Sequence, residues 1–318
     1  MHPLQSTRLT TSDPPYTFDM TDKECSEILA SLISTSNRNT ALGMQDDTNK
    51  VGTIAFQLLE DHQIFQRDDS CAFSMQLEYA RILHNNMLLD DAVTIQQSVL
   101  DWRRQRREEE DPRLLIEALR SYALSLMALG SYSKSRDVLE EALNVCNASL
   151  KPESIHTLGC KEALAALRNS EGNTEEAIEI SKEVLRTVQK CADSSQSQII
   201  STMSDLAVYL ALASHWEESW KMISDAKHFA KTCLRPQDIV DLSVHLNAST
   251  ISKVMCLPQA ERSGQVVAAE RGGRVIATLR DKRAAEQLSA NLTRDHRGRG
   301  HNSYTQRLWN GVTNLVCR

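Results

Sequence analysis

The chain has 318 residues, of which 41% are hydrophobic and 25% charged, and its formal net charge is −6. These values are ordinary for a folded protein and leave room for two globular domains or one extended array. Only 11 glycines and 7 prolines are present, which is too few turn residues for a many-stranded sheet. Composition therefore favours helices, and no apolar run approaches the ~20 residues that cross a bilayer.

The N-terminal part precedes any repeated pattern. Residues 1–20 are polar, so we expect them to be disordered. Thr21 and Glu24 match a capping box, in which a threonine and a glutamate three residues later satisfy the first amides of a helix. A second stretch with helical apolar spacing follows. We predict an irregular helix pair over residues 21–66 that caps this end of the fold.

From residue 67 onward, small side chains recur at a fixed interval. Alanine or serine returns every 42 or 43 residues at two positions that lie twelve residues apart. The first set is Ala80, Ala123, Ala165 and Ala207, and the second is Ala92, Ser135, Ala177 and Ser219, with a divergent fifth copy at Ala248 and Ala260. A period of about 20–50 residues is typical of a solenoid. We predict antiparallel helix pairs whose small residues lie where the axes come within ~8–10 Å.

This spacing resembles the tetratricopeptide repeat, in its long form of ~42 residues that is found in kinesin light chains and filamentous-fungal repeat proteins. The resemblance implies an all-α, right-handed α-solenoid of antiparallel helix pairs, with about five repeats over residues 67–272 and capping helices at its ends. The heptad coiled coil that precedes the repeats of kinesin light chains is absent from this sequence. Motor attachment is therefore not implied.

An acidic doublet recurs at the start of the second helix of several repeats. It stands at residues 90–91, 175–176 and 217–218. A catalytic or metal-binding pair of carboxylates would occur once, whereas the first turn of any helix favours anions because of the macrodipole. Gly172 and Asn173 precede one doublet and predict the turn between two helices. We therefore predict a structural role for the doublets.

The resemblance also implies where a partner would bind. In tetratricopeptide arrays the first helices line the inside of the curve, and partner-binding residues stand at fixed offsets from their small residue. Transferred to this chain, the groove residues are Arg81, His84, Asn85, Glu117, Arg120, Glu162, Asn169, Ser201, Ser204 and His245. Arginine, histidine and amide side chains can hold a carboxylate or a peptide backbone. The alternative is that these side chains are ordinary solvated helix faces.

The C-terminal part differs from the rest in charge. Residues 261–318 contain eleven Lys or Arg and five Asp or Glu. We predict a capping helix over residues 273–292 and a basic, loosely ordered tail over residues 293–318. Arg297 begins an Arg-Gly-Arg-Gly motif with aromatic residues nearby, a composition that suits phosphates and stacked bases. One such motif on a chain of negative net charge makes nucleic acid an unlikely partner.

The common signatures of catalysis and metal binding are absent from the sequence. It contains no phosphate-binding P-loop, no Gly-x-Ser-x-Gly elbow and no His-Glu-x-x-His pair. The histidines in and near the repeats lack a second ligand at helical spacing. We expect no catalytic residues, no metal and no cofactor.

Our leading hypothesis is a non-enzymatic scaffold or adaptor that binds a peptide segment or a partner protein in its concave groove. Two alternatives stay open. One is a regulatory protein that contacts nucleic acid through the arginine-rich tail, and the other is a helical enzyme with an unrecognised site. Because the sequence shows neither a signal peptide nor a membrane span, we expect a cytoplasmic location, with the nucleus left open, and no membrane partner. The oligomeric state is not predicted.

Overall fold

Alternating helices dominate the structure. The computed structural model describes residues 20–191, 195–234, 239–257, 259–271 and 274–279. The helices within these ranges are α1 (Asp22–Ala41), α2 (Gln45–Asp61), α3 (Ser70–Asn85), α4 (Leu89–Gln105), α5 (Pro112–Ala128), α6 (Tyr132–Ser149), α7 (Ile155–Ser170), α8 (Thr174–Lys190), α9 (Gln196–Leu212), α10 (Trp216–Cys233) and α11 (Ile239–Met255). Two strands, β1 (Val266–Arg271) and β2 (Arg274–Leu279), follow them as an antiparallel hairpin. No helix in the described ranges is both long and apolar enough to span a bilayer.

The helices pack in consecutive pairs. Four pairs, α3 with α4, α5 with α6, α7 with α8 and α9 with α10, follow one another along the chain, and α11 packs on both α9 and α10. The first helices also contact one another, α3 with α5 and α5 with α7. The predicted all-α solenoid of antiparallel helix pairs is confirmed. The helices α1 and α2 lie within the segment for which an N-terminal pair was predicted, and α1 begins at the predicted capping box of Thr21 and Glu24.

The recurring small residues lie at the helix crossings. All eight of them in the first four pairs are at most 1% exposed. Where the second position is serine, its hydroxyl donates a hydrogen bond to the carbonyl of the small residue that faces it. The Ser135 Oγ to Ala123 O distance is 2.8 Å, and the Ser219 Oγ to Ala207 O distance is 2.7 Å. Alanine and serine therefore alternate here without leaving a buried polar atom unpaired.

A larger side chain at such a crossing should destabilise the array. We expect Ala177→Leu to lower the free energy of unfolding by roughly 1–3 kcal/mol or more, because the added methylenes have no space between α7 and α8. Ala148→Leu is the matched control, since Ala148 is an exposed residue of α6. Urea denaturation followed by circular dichroism measures both changes. Equal stability of the two variants would contradict the tight crossing.

The turns inside the pairs share one backbone conformation. A residue with positive φ ends the first helix of each pair, at Met87 (61°), Gly130 (75°), Gly172 (88°) and Ser214 (65°). These positions repeat at the same interval as the small residues. A left-handed conformation suits glycine and strains residues that carry a Cβ atom. The sequence stretch Gly172-Asn173 is thus a turn, and the three acidic doublets occupy the first turns of α4, α8 and α10, as predicted.

The strained turn residues suggest a stabilising substitution. Met87 is 67% exposed, so its side chain contributes little packing, and Met87→Gly should raise the free energy of unfolding by up to roughly 1 kcal/mol through relief of backbone strain. Leu129→Gly is the control, because Leu129 is also exposed but has an ordinary φ of −77°. We expect that control to lose stability. The melting temperatures of the two variants should therefore shift in opposite directions.

The fold departs from the prediction after α11. Residues 266–271 and 274–279 form strands, so the predicted second helix of the fifth repeat is wrong and the predicted capping helix over 273–292 is wrong at 274–279. Ala248 is buried as expected, whereas Ala260 is exposed in a 3-10 turn. Residues 280–292, the tail over 293–318 and the N-terminal segment up to residue 19 lie outside the described residues.

The side chains of α11 hold β2 in its extended conformation. Asn247 Nδ2 donates to the Val275 carbonyl at 2.9 Å, and its Oδ1 accepts from the Ala277 amide at 2.7 Å. Thr250 Oγ1 donates to the Ala277 carbonyl at 2.9 Å. Both polar side chains are at most 1% exposed. These bonds form only once the hairpin lies on α11, which explains why helical spacing in the sequence gave the wrong prediction.

Candidate functional site

The first helices of the pairs surround a cavity of ≈ 450 Å³. Its wall contains residues of α3, α5, α7 and α9, and it is completed by Asn37 from α1 and Val275 from β2. The first and last described elements come together here, since α1 contacts both α11 and β1. The sequence predicts an open concave groove. In the structure α1 and the hairpin border one side of this groove, and Ile155 in its wall is 61% exposed.

Six of the ten predicted groove residues line this cavity. They are Arg81, His84, Asn85, Glu117, Arg120 and Glu162. The offsets from the small residue are the same in every repeat, so side chains that are far apart in sequence reach one space. The other four predicted residues, Asn169, Ser201, Ser204 and His245, are not part of the cavity wall.

An ion network crosses the cavity wall between α3 and α5. Arg81 Nη1 lies 3.1 Å from Glu78 Oε1 on its own helix and 3.4 Å from Glu117 Oε1 on α5. Burial raises the pKa of the Glu78 carboxyl, although Arg81 opposes that effect. The charge of Arg81 is therefore shared between two carboxylates.

Arg120 is the less neutralised of the two cavity arginines. Its Nη2 lies 3.8 Å from Glu117 Oε1, beyond hydrogen-bond distance, and its guanidinium donates no hydrogen bond to a described residue. Burial lowers the pKa of Arg120, and the neighbouring Arg81 lowers it further. The side chain lies against Gly159 of α7, where a Cβ atom would be 3.6 Å from its Cδ. Glycine thus brings α7 close to a guanidinium that retains free donors.

Hydroxyl, imidazole, amide and carboxylate groups occupy the rest of the wall. His84 Nδ1 and Ser125 Oγ are 3.0 Å apart. Asn85 Nδ2 donates to Asn37 Oδ1 at 2.7 Å, which links α3 to α1. Glu162 Oε1 accepts a hydrogen bond from Thr202 at 2.8 Å, a bond between α7 and α9. The cavity therefore combines hydroxyl, imidazole and amide groups with the two arginines and with the carboxylates of Glu117, Glu162 and Asp205.

The four predicted residues outside the wall take part in packing or local bonds. Asn169 Oδ1 accepts from Thr174 at 3.1 Å in the turn before α8. Ser201 and Ser204 are at most 1% exposed, and Ser204 Oγ accepts from Asn247 Nδ2 at 2.9 Å. Ser204 faces α11 because α11 packs on α9 at this side of the array. The distance of a residue from the small residue of its repeat could not indicate this packing.

Several wall residues were not among the predicted ones. Ser121 and Ser125 stand two residues before and two residues after Ala123, the small residue of α5. They would have been predicted if these two distances from the small residue had been included. Asn37 and Val275 belong to elements outside the regular repeats. No repeat pattern could predict that these two elements meet at the cavity.

His245 forms a pair with Asp241 inside α11. Its Nδ1 lies 3.3 Å from the Asp241 carboxylate and 2.8 Å from the Asp241 backbone carbonyl. The side-chain hydrogen bond to Asp241 raises the pKa of His245 above the ordinary 6.5, against the effect of burial. The pair stabilises the helix beside the cavity when the imidazole is protonated.

The raised pKa of His245 predicts a pH-dependent stability. The contribution of the pair is fully present below the ordinary histidine pKa of 6.5 and is lost as the pH rises through the higher folded value. His245→Gln should therefore lower the free energy of unfolding more at about pH 5.5 than at about pH 8.5. Asp241→Asn should produce the same pH-dependent loss, and the double variant should lose little more. A loss that is equal at both pH values would contradict the pairing.

A comparison with a protein-family model agrees with the repeat that the small residues and the left-handed turns define. Residues 114–190 match the tetratricopeptide repeat model. These residues are tetratricopeptide repeats. The matched segment covers α5 to α8, that is, the second and third pairs, and includes Glu117, Arg120 and Glu162 of the cavity wall. The family resemblance drawn from the small residues is confirmed.

Several solved structures are similar to this chain at low sequence identity. The nearly identical TPR-like repeats of a kinesin light chain from Podosopora anserina share 17% identity, with a TM-score of 0.45 over 64% of this chain and 96% of that one. BtubC (BKLC) from P. vanneervenii shares 14%, with a TM-score of 0.47 over 67% and 92%. PlcR of Bacillus thuringiensis, solved with the peptide PapR7 and DNA, shares 13%, with a TM-score of 0.49 over 80% and 79%. No curated protein matches the sequence.

Proposed function

We propose that this tetratricopeptide protein is a non-enzymatic scaffold that binds a peptide segment of a partner protein in its central cavity. The observation that carries the proposal is Arg120, a guanidinium in the cavity wall that donates no hydrogen bond to a described residue. A half-buried cation of this kind, whose side chain is 30% exposed, is stabilised when a ligand brings an anion to it.

The guanidinium of Arg120, rather than the net charge of the wall, favours an acidic group on the peptide, since Glu117, Glu162 and Asp205 also line the cavity. Arg81 already shares its charge with Glu78 and Glu117, so the carboxylate of a ligand would bind mainly to Arg120. Partial burial strengthens such an interaction relative to one in bulk water, because the effective dielectric beside the protein is lower. The side chain or terminal carboxylate of the peptide is the expected contact, and the hydroxyl and amide groups of Ser121 and Asn85 would bind its backbone.

The size of the cavity limits the length of the enclosed segment. A space of ≈ 450 Å³ lies in the range of small-ligand pockets, which span about 300–1,000 Å³. It can therefore enclose only a few residues of a peptide, and the rest of the partner would remain outside. We expect short linear segments to be sufficient for binding.

The arginine-rich tail offers no support for the nucleic-acid alternative, since it lies outside the described residues. The enzyme alternative also lacks a specific supporting observation. The described residues contain no cluster of three or more His, Cys, Asp or Glu side chains that could hold a metal. We therefore propose only the peptide-binding function.

Charge reversal in the cavity should abolish peptide binding. The probes are synthetic peptides selected from a random display library on the wild-type protein, and their affinities are measured by fluorescence anisotropy. We expect Arg81→Glu with Arg120→Glu to weaken binding at least about tenfold, which corresponds to about 1.4 kcal/mol. The milder Arg120→Gln variant should also weaken it, because it removes the charge without adding a carboxylate.

The matched control is Lys23→Glu with Lys134→Glu, which makes the same change in net charge at two exposed positions. Circular dichroism confirms that each variant is folded. Unchanged affinity in this control, together with loss in the Arg120 variants, supports the cavity as the binding site. Equal affinity in folded Arg120 variants and wild type contradicts the proposal, as does a library that yields no binder.

A further inference from the structure

The turn between α3 and α4 holds two exposed apolar side chains. Met87 is 67% exposed, the highest value among the large apolar side chains of the described residues, and Leu88 beside it is also exposed. The turns at the same place in the next three pairs hold Gly130-Ser131, Gly172-Asn173 and Ser214-His215. Among these four turns, apolar side chains at both positions therefore occur only in the first pair.

Neither residue suits its backbone position. Met87 has a φ of 61°, a conformation that favours glycine. Leu88 stands at the N-cap of α4, a position that ordinarily holds Ser, Thr, Asp or Asn. Because both side chains are exposed, packing within the chain does little to offset these unfavourable choices. Residues that break a local rule without a gain for the fold are expected at functional sites.

Two more exposed apolar side chains flank the equivalent turn of the second pair. They are Leu129, at the end of α5, and Tyr132, at the start of α6. The first two pairs are neighbours, since α5 packs on both α3 and α4, and equivalent positions of neighbouring repeats lie side by side. We call the apolar surface that these four residues form the turn patch: Met87, Leu88, Leu129 and Tyr132. The wall of the central cavity includes none of them.

The charged groups beside the turn patch indicate which partner suits it. Asp90 and Asp91 lie in the first turn of α4, and both are exposed. Neither carboxylate forms a salt bridge with a described residue. Near the start of α6, Lys134 and Asp137 are exposed and opposite in charge. The two aspartates of α4 therefore make the surroundings of the patch negative.

We propose that the turn patch is a docking surface for a basic segment of a partner protein. The apolar side chains of that segment cover the patch, and its Lys or Arg side chains pair with Asp90 and Asp91. Charge complementarity of this kind selects the partner and accelerates its association. An anionic lipid surface would be repelled by the same two carboxylates. Because the patch lies outside the cavity wall, this docking surface does not depend on the function proposed above.

The second pair supplies a variant that removes the patch and preserves the fold. Met87→Gly with Leu88→Ser gives the first turn the Gly-Ser sequence of the second, so this turn variant should be at least as stable as the wild type. Circular dichroism and thermal melting check this expectation. A loss of binding in the turn variant therefore cannot result from unfolding.

The probes are synthetic peptides selected from a random display library on the full wild-type chain. The affinity of each peptide is measured by fluorescence anisotropy on the wild type, on the turn variant and on Arg120→Gln. We expect a class of peptides with net positive charge whose binding the turn variant weakens at least about tenfold and Arg120→Gln leaves unchanged.

Matched controls test the chemistry of this class. Phe229→Ser removes an exposed apolar side chain from α10 and should not change the affinity. Asp90→Asn with Asp91→Asn should weaken binding and reduce its dependence on salt. Glu217→Gln with Glu218→Gln makes the same charge change in the first turn of α10 and should have no effect.

Three results would overturn the docking surface. The first is a selection in which the turn variant weakens no peptide, and the second is a class of weakened peptides that are acidic or neutral. The third is a wild-type dimer that the turn variant dissociates in analytical ultracentrifugation, because the occupant would then be a second copy of this chain. Since the peptides are sorted by the variant that weakens them, a library without any cavity binder would contradict only the function proposed above.

Discussion

The fold depends on close approach between the two helices of each pair. Alanine or serine stands at every crossing of the first four pairs, and each of these residues is almost completely buried. The serine hydroxyls remain compatible with burial because Ser135 and Ser219 bond to carbonyls of the facing helix. Once the crossings are fixed, α3, α5 and α7 bring Arg81, Arg120 and Glu162 to a common space. The candidate site is therefore a consequence of the same constraint that builds the array.

The repeated part of the fold could be predicted because its determinants are local and periodic. Small residues, turn positions and acidic first turns recur at one interval, and the structure has them in corresponding places. The hairpin after α11 could not be predicted in this way. Its extended conformation depends on Asn247 and Thr250, which are distant in sequence and become partners only when the hairpin lies on α11.

The candidate site could be predicted only in part. The repeat offsets place Arg81, Arg120 and Glu162 along one cavity, while Ser204 follows the same rule and is buried against α11 instead. The difference arises because α11 and the hairpin pack on α9. This packing involves elements outside the regular repeats, and no single repeat encodes it.

The bonds that α11 makes to β2 also affect how the chain behaves toward other chains. A two-stranded sheet ordinarily has two open edges, each able to recruit a strand from another molecule. On β2, backbone groups of Val275 and Ala277 are already occupied by Asn247 and Thr250. A strand added on that side would have to displace the hydrogen bonds that Asn247 and Thr250 make to β2.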